Sequence, residues 1–377
     1  MERDDNISEK IMNGTIFLPK ELIIEILLRL PVKSLIRFKC MCKSWISLIS
    51  DPYFALSHFE LTTQHTERLV VLVPRTRQFL SIDFNASLHD DFSFSALKLE
   101  FLPPKPCETQ IRGSCRGFVL LDCCQSLWVW NPSTGDHKQV SRSPIASSVM
   151  FFIFLYGFGY DPSTDDYLVV QASCNIYGVI RVEIFSIRTN AWKEMEGVHL
   201  SKMNNWNDRR NGFLLDGANA IHWLTYRYHV SIHFILAFDL IERNFSEVPL
   251  PVGFEEHYNF NFCDLGVLGE SLSLCVVGYH CPAEIWVMKE YKVQSSWTKT
   301  IVVSVDHIPS KYFSLVCSTK SGDIVGIAGT AGLVKCNDQG QLQELQHHCD
   351  PPNGSQVVVY TKSLLSLPFD NEQVEDD

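Results

Sequence analysis

The chain has 377 residues, 46% of them hydrophobic and 20% charged, with a formal net charge of -11 at pH 7. That length suits two domains, or a small module attached to one large β domain, and the balance is that of a globular chain. The acidic excess argues against nucleic-acid binding, which needs a basic stripe to neutralise phosphates.

The longest apolar run, Val149 to Tyr156, is far shorter than the roughly 20 residues of a membrane-spanning helix. No membrane partner is expected. Thirteen cysteines are scattered without a CxxC pair, and the first ten residues are charged and polar rather than a signal peptide. Reduced core thiols in a cytoplasmic or nuclear protein are the simplest reading. The sequons at Asn85, Asn244 and Asn353 should then go unglycosylated.

Residues 1–14 read as a disordered polar tail. From Leu18 to Pro52 the spacing is helical, in three short runs: Pro19 to Leu30, Val32 to Cys40 and Lys43 to Ile49. Pro19 and Pro31 sit where helices begin, and Asp51-Pro52 ends the third run. In the first run Glu21, Glu25 and Arg29 form one narrow polar stripe, and the remainder is apolar. Such a helix is buried on more than one side. A unit of about 40 residues has too little interior to take that surface. The surplus faces either the rest of this chain or a partner protein. The segment is also locally basic, with Lys20, Arg29, Lys33, Arg37, Lys39 and Lys43, so an acidic partner would be steered to it. Tyr53 to Leu61 continues as a short helical or irregular connector.

Leu18-Pro19, Ile26-Leu27, Leu30-Pro31-Val32, Leu35, and Cys42-Lys43 followed by Trp45 resemble the F-box, over residues 15–60. The family uses this segment to bind a Skp-type adaptor and, through it, a cullin–RING ubiquitin ligase. The resemblance implies an adaptor-binding set of Leu18, Pro19, Leu22, Ile26, Leu27, Leu30, Pro31, Val32, Leu35, Cys42 and Trp45. Met41 stands where relatives often carry Val, a change a soft thioether absorbs.

From Leu69 the period changes to short strands and turns. Hairpin-like stretches recur at Leu127–Val140, Val182–Met195, Ile235–Val248 and Ile285–Ile301, about 50 residues apart, a spacing typical of blades. Another strand precedes each, in GFVLLD, DYLVVQAS, AIHWLTY and SLSLCVV, and weaker copies begin at Leu69 and Asp323. About six units of three or four strands follow, which reads as a β-propeller, with a pair of β-sandwiches as the alternative. Gln356 to Thr361 is placed to complete the first blade and close the ring. The overall class is α+β multidomain: a small three-helix F-box, then an all-β, propeller-like domain over 69–362. Residues 363–377 read as an acidic tail, disordered over Asp370 to Asp377.

Ser114-Cys115-Arg116-Gly117, Trp130 to Gly135, Gly157 to Pro162, Trp192-Lys193 and the run from Glu284 to Ser304 resemble the F-box-associated interaction domain of plant F-box proteins, many of them called F-box/kelch-repeat proteins. Paired-glycine kelch signatures are not evident. The resemblance implies a substrate-recognition subunit of an SCF-type ubiquitin ligase that performs no bond chemistry itself. A non-degradative scaffold and an enzyme built on a propeller are the alternatives.

Residue patterns supply no active site. Gly157-Phe158-Gly159 leads to Tyr160-Asp161-Pro162 and a strand, not to the helix a phosphate loop requires, so these glycines read as close backbone packing. Asn131 to Gly135 and Asp161 to Asp166 read as turns whose Asn, Asp and Ser bond the backbone locally. His347-His348-Cys349 reads as a polar loop, and His229 with His233 lacks a third ligand, so no metal or cofactor is expected. The irregular stretches Ser201–Asn211 and Gly253–Phe262 are the candidate target-binding loops. Trp206, Arg209, Arg210, Tyr258 and Phe260 have hot-spot chemistry there. The target protein is not readable from the sequence.

Overall fold

The computed structural model describes residues 19–62, 67–73, 78–83, 97–99, 101, 109–123, 126–145, 151–175, 177, 179–196, 210–227, 232–254, 260–278, 281–304, 313–328, 332–346 and 356–368. The sequence-based tails at 1–14 and Asp370–Asp377, the His347-His348-Cys349 run and His229 lie outside these residues.

Four helices come first among the described residues: α1 (Lys20–Leu28), α2 (Val32–Lys39), α3 (Lys43–Ile49) and α4 (Pro52–Thr62). Pro19 and Pro31 cap the first two. Asp51-Pro52 is a start as well as a stop, so the expected connector is a full helix. Pro52 opens α4, where a missing N–H costs nothing, and Asp51 Oδ1 accepts the Phe54 N–H at 3.0 Å.

The remaining described chain folds into six antiparallel sheets arranged as the blades of a ring. Blade 1 contains β1 (Glu67–Val73), β2 (Gln78–Ile82) and β3 (Leu97–Leu99). Blade 2 is β4 (Thr109–Cys115), β5 (Phe118–Cys123), β6 (Ser126–Trp130) and β7 (His137–Val140). Blade 3 is β8 (Phe151–Asp161), β9 (Asp166–Asn175), β10 (Ile180–Ser186) and β11 (Ala191–Glu194), with β12 (Arg210–Asn211) added in parallel to β8. Blade 4 is β13 (Phe213–Leu215), β14 (Ala220–Arg227), β15 (Ile232–Asp239) and β16 (Phe245–Val248). Blade 5 is β17 (Phe260–Leu268), β18 (Ser271–Gly278), β19 (Ala283–Met288) and β20 (Trp297–Val303). Blade 6 is β21 (Ser314–Ser318), β22 (Ile324–Ala328), β23 (Gly332–Cys336) and β24 (Leu342–Gln346). The last strand, β25 (Gln356–Thr361), returns to blade 1. It pairs with β1 from Glu67↔Thr361 to Leu72↔Gln356 and closes the ring.

The first strand of blades 2, 4, 5 and 6 lines the centre, and β25 takes this place in blade 1 and β12 in blade 3. Neighbouring inner strands run in one direction: Ile111 and Ser114 of β4 meet Gln356 and Val359 of β25 in the same order, and Asp264 and Gly266 of β17 meet Ser314 and Leu315 of β21 in the same order. Most strands are buried on both faces because alternate side chains enter the clefts on either side. In β9, Val169 faces blade 2 while Leu168 and Val170 face blade 4. Six apolar clusters result, one between each pair of neighbouring blades.

The cluster between blades 2 and 3 extends further. It also takes in Leu27, Val32, Leu35, Ile49, Phe54, Ala55 and Phe59 of the helices, and Leu364, Leu365 and Leu367. Two expectations change here. The helices share a core with the ring instead of standing apart from it. Residues 363–368, read as the start of an acidic tail, are packed, because three of them are leucines with a cleft to fill.

Candidate functional site

The helical module presents two different apolar surfaces. Inside, Leu27, Val32, Leu35 and Ile49 are buried, and Phe38 meets Trp45 edge to face with ring centroids 4.9 Å apart. His58 is fully buried on α4 and its Nε2 bonds Leu30 O, the carbonyl between α1 and α2, at 2.8 Å. Burial lowers the His58 pKa below its ordinary 6.5, and the bond to Leu30 opposes this only in part. The ring is therefore neutral and its Nε2–H donates. Outside, Leu22 and Ile26 are about half exposed, Ile46 is 47% and Met41 is 74% exposed. Leu22 and Ile26 stand one turn apart on the same face of α1. Beside them the polar stripe is in place, with Arg29 Nη1 3.0 Å from Glu25 Oε2.

The sequence-derived docking set therefore divides. Pro19, Leu22, Ile26, Pro31 and Cys42 are exposed, and Leu30 and Trp45 are partly buried. Leu27, Val32 and Leu35 are buried in the cluster that the helices share with blades 2 and 3. Leu18 lies outside the described residues.

The module sits on the face of the ring where the inner strands end. Arg116, in the β4–β5 turn at φ +47°, stacks its guanidinium over Tyr160 at 3.9 Å and reaches Phe59 of α4 at 5.3 Å. Around this seat, Asp161 is fully buried and accepts from Ser163 N–H, Ser163 Oγ and Thr164 Oγ1 at 2.8, 2.6 and 2.7 Å, and from Arg243 of blade 4. Burial alone would raise its pKa. The hydrogen bonds from Ser163 and Thr164, with Arg243, outweigh that and lower it. The expected turn at Asn131 is present too, with Oδ1 accepting from Ser133 N–H at 2.8 Å. Gly157 and Gly159 allow close packing as expected: a Cβ at either would lie 2.7 Å from Trp223 or 2.6 Å from Leu240.

A central channel of about 640 Å³ is lined by all the inner strands. Toward its far end Arg112 is buried, donates to Asp122 at 2.8 Å and to Asn211 at 3.3 Å, and stacks on Tyr156 at 4.1 Å. Nearer the helices are Glu67 and Asp216. Burial raises both carboxyl pKa values, opposed by Lys320 for Glu67 and by Arg116 for Asp216. The channel thiols Cys115 and Cys317 are pushed up by burial, so they are protonated and not activated nucleophiles. Among the described residues no group of three or more metal-ligating side chains converges, and none of the described helices is long and apolar enough to cross a membrane.

Of the sequence-derived target residues, Trp206, Arg209 and Tyr258 lie outside the described residues. Arg210 opens β12 and Phe260 opens β17. Both strands run toward the helices, so both begin on the opposite side of the ring. Sequence reasoning missed Arg116 and Phe59 as a pair. The Ser114 to Gly117 stretch was noticed only as a family resemblance, and nothing in linear spacing shows that a turn meets a helix.

Comparison with known proteins agrees with this architecture. Residues 17–57 match the F-box domain model, and residues 69–367 match the model of the F-box associated beta propeller domain. The chain belongs to that family. An F-box/kelch-repeat protein of Arabidopsis thaliana is 32% identical over 301 residues, covering 76% of this chain and 79% of the relative. The F-box protein CPR1 of the same plant is 30% identical, over 76% of this chain and 73% of its own. Among solved structures, a chain of a nidogen/laminin complex matches with a TM-score of 0.50 at 10% identity, over 79% of this chain and 99% of that one. That last likeness shows the fold alone. F-box proteins with such propellers are in general non-catalytic adaptors that pair with a Skp-type partner, and this chain has both parts.

Proposed function

We propose that this protein is the substrate-recognition subunit of an SCF-type ubiquitin ligase. It docks on a Skp-type adaptor through the helical module and holds a target protein on the ring for ubiquitination and degradation. The observation that carries the reading is the exposed apolar surface of Leu22, Ile26, Met41 and Ile46 on a module that matches the F-box. A module that had buried all its apolar surface on its own ring would have none exposed. The protein does no bond chemistry; by holding the target it raises the effective concentration of its lysines at the ligase. Trp206, Arg209, Arg210, Tyr258 and Phe260 are the proposed target contacts; of these, Arg210 and Phe260 open β12 and β17 on the side of the ring away from the helices. Reduced cysteines, with no disulfide among the described residues, fit a cytoplasmic or nuclear location.

The test is a paired measurement on the full-length protein. Co-purification with a Skp-type adaptor should be lost in Ile26→Asp, and the half-life of proteins retained by the ring should lengthen in the same variant. Turnover of a small molecule by the ring, or retained proteins whose abundance ignores the variant, would overturn the degradative reading.

A further inference from the structure

Residues 362–368 leave β25 and cross the helix-side end of blade 2. Ser363 is fully buried, and Leu364, Leu365 and Leu367 are nearly so. Asn131, fully buried in the β6–β7 turn, holds this stretch. Its Nδ2 donates to Ser363 O and to Leu365 O, both at 3.1 Å. Its Oδ1 serves the other side, accepting from Ser133 N–H and Thr134 N–H within the turn. Ser363 N–H donates to Ser133 Oγ at 3.2 Å. Both donors of one amide are thus spent on one passing segment.

Gly117 lets the segment lie this close. Its φ is +87°, and a Cβ there would fall 2.3 Å from Ser363 Cβ and 2.9 Å from Thr361 O. The next residue back, Arg116, is the one that stacks on Phe59. Leu364, Leu365 and Leu367 share an apolar cluster with Leu27, Phe54 and Phe59. Burial lowers the Lys362 pKa, helped by the nearby charges of Arg68 and of Lys33 on α2 and opposed by Asp83. Ring closure needs none of this, because the β1–β25 ladder is complete at Thr361.

We propose that residues 362–368 are a latch for the helical module. Closure of the ring by β25 delivers them to the seat, where they complete the surface on which α4 rests and fix the direction in which the module points. A tail that merely followed the last strand would have no use for two buried amide donors or for a glycine-only crossing.

Hydrogen exchange of the full-length protein tests the latch with two variants, Asn131→Asp and a chain stopped after Lys362. Asn131→Asp keeps the acceptor that the turn needs and removes both donors to the latch. In each variant the amides of α4 should exchange faster by about tenfold or more, the scale of two lost buried hydrogen bonds. The β1 amides paired with β25 should keep their protection. Unchanged α4 protection in both variants would overturn the proposal. So would loss of β1–β25 protection in step with α4, which would make the segment only a part of ring closure. If Asn131→Asp loosens every blade, the stopped chain, whose β6–β7 turn is untouched, decides.

Discussion

Ile26 and Leu35 belong to the same short motif but serve opposite ends. Ile26 is half exposed and Leu35 has no exposed surface. Ile26→Asp should leave the fold's stability within about 0.5 kcal/mol, as exposed substitutions do, while adaptor affinity falls by tenfold or more; thermal melting and a titration with adaptor check both. Leu35→Asp should instead cost about 3 kcal/mol or more, since it places an unpaired carboxylate in a core, and adaptor binding is then lost through unfolding of the helices. His58 gives a pH dependence. Its folded pKa is lowered from 6.5, so the unfolded state takes up protons first. The stability it contributes is complete above about pH 6.5 and is lost as pH falls through that value toward the folded pKa. Melting of the full-length protein from pH 8 to pH 5 should show this loss, and His58→Gln should show less of it.

Among elements, the hairpins were the most legible. Val182–Met195 and Ile285–Ile301 announced themselves by aromatic strand ends around a polar turn, and they are β10–β11 and β19–β20 with the turn where it was expected. Local chemistry suffices there, because Asx bonding and a pleated apolar run act within a few residues. Inner strands such as β13 and β21 were not read, since they are short and their reason to be strands is a neighbouring blade. The F-box was legible as a motif, but which of its residues are buried was not; Leu22 and Leu27 look alike until the helices and the ring close around one of them. The seat at Arg116 could not be seen at all, because it joins residues far apart in sequence. Turns also carry the contacts between blades, and Asp161 shows how. Asp161→Asn should keep one acceptor for Ser163 yet break the pair with Arg243, at a cost of about 2–3 kcal/mol. Denaturant unfolding, compared with Arg243→Gln and with the double variant, should find the two changes non-additive.

For the molecule as a whole, the sequence suggested two modules that would fold apart, since helical and strand periods do not mix. The structure couples them through side chains. Phe54 and Phe59 of α4 belong to the cluster that also holds Phe118, Tyr167 and Phe185 of blades 2 and 3. Removing the helices exposes that end of the cluster, and each buried aromatic contributes about 1.5–3 kcal/mol. A fragment of residues 67–368 should therefore keep its β circular dichroism, because six blades and the β1–β25 closure are all retained. It should be less stable to denaturant than the full-length protein by about 3–5 kcal/mol. Phe59→Ala in the full-length chain should reproduce part of the loss without removing the helices. Its effect should be smaller in an Arg116→Ala background, where the guanidinium contact is already gone. Equal stability of fragment and full-length protein would mean that the shared cluster is contact without coupling, and the module could then swing freely on the ring. A measured deficit means that the helices and the ring are energetically coupled through the shared cluster. On the proposed function, the span between adaptor and target would then be set by the fold itself.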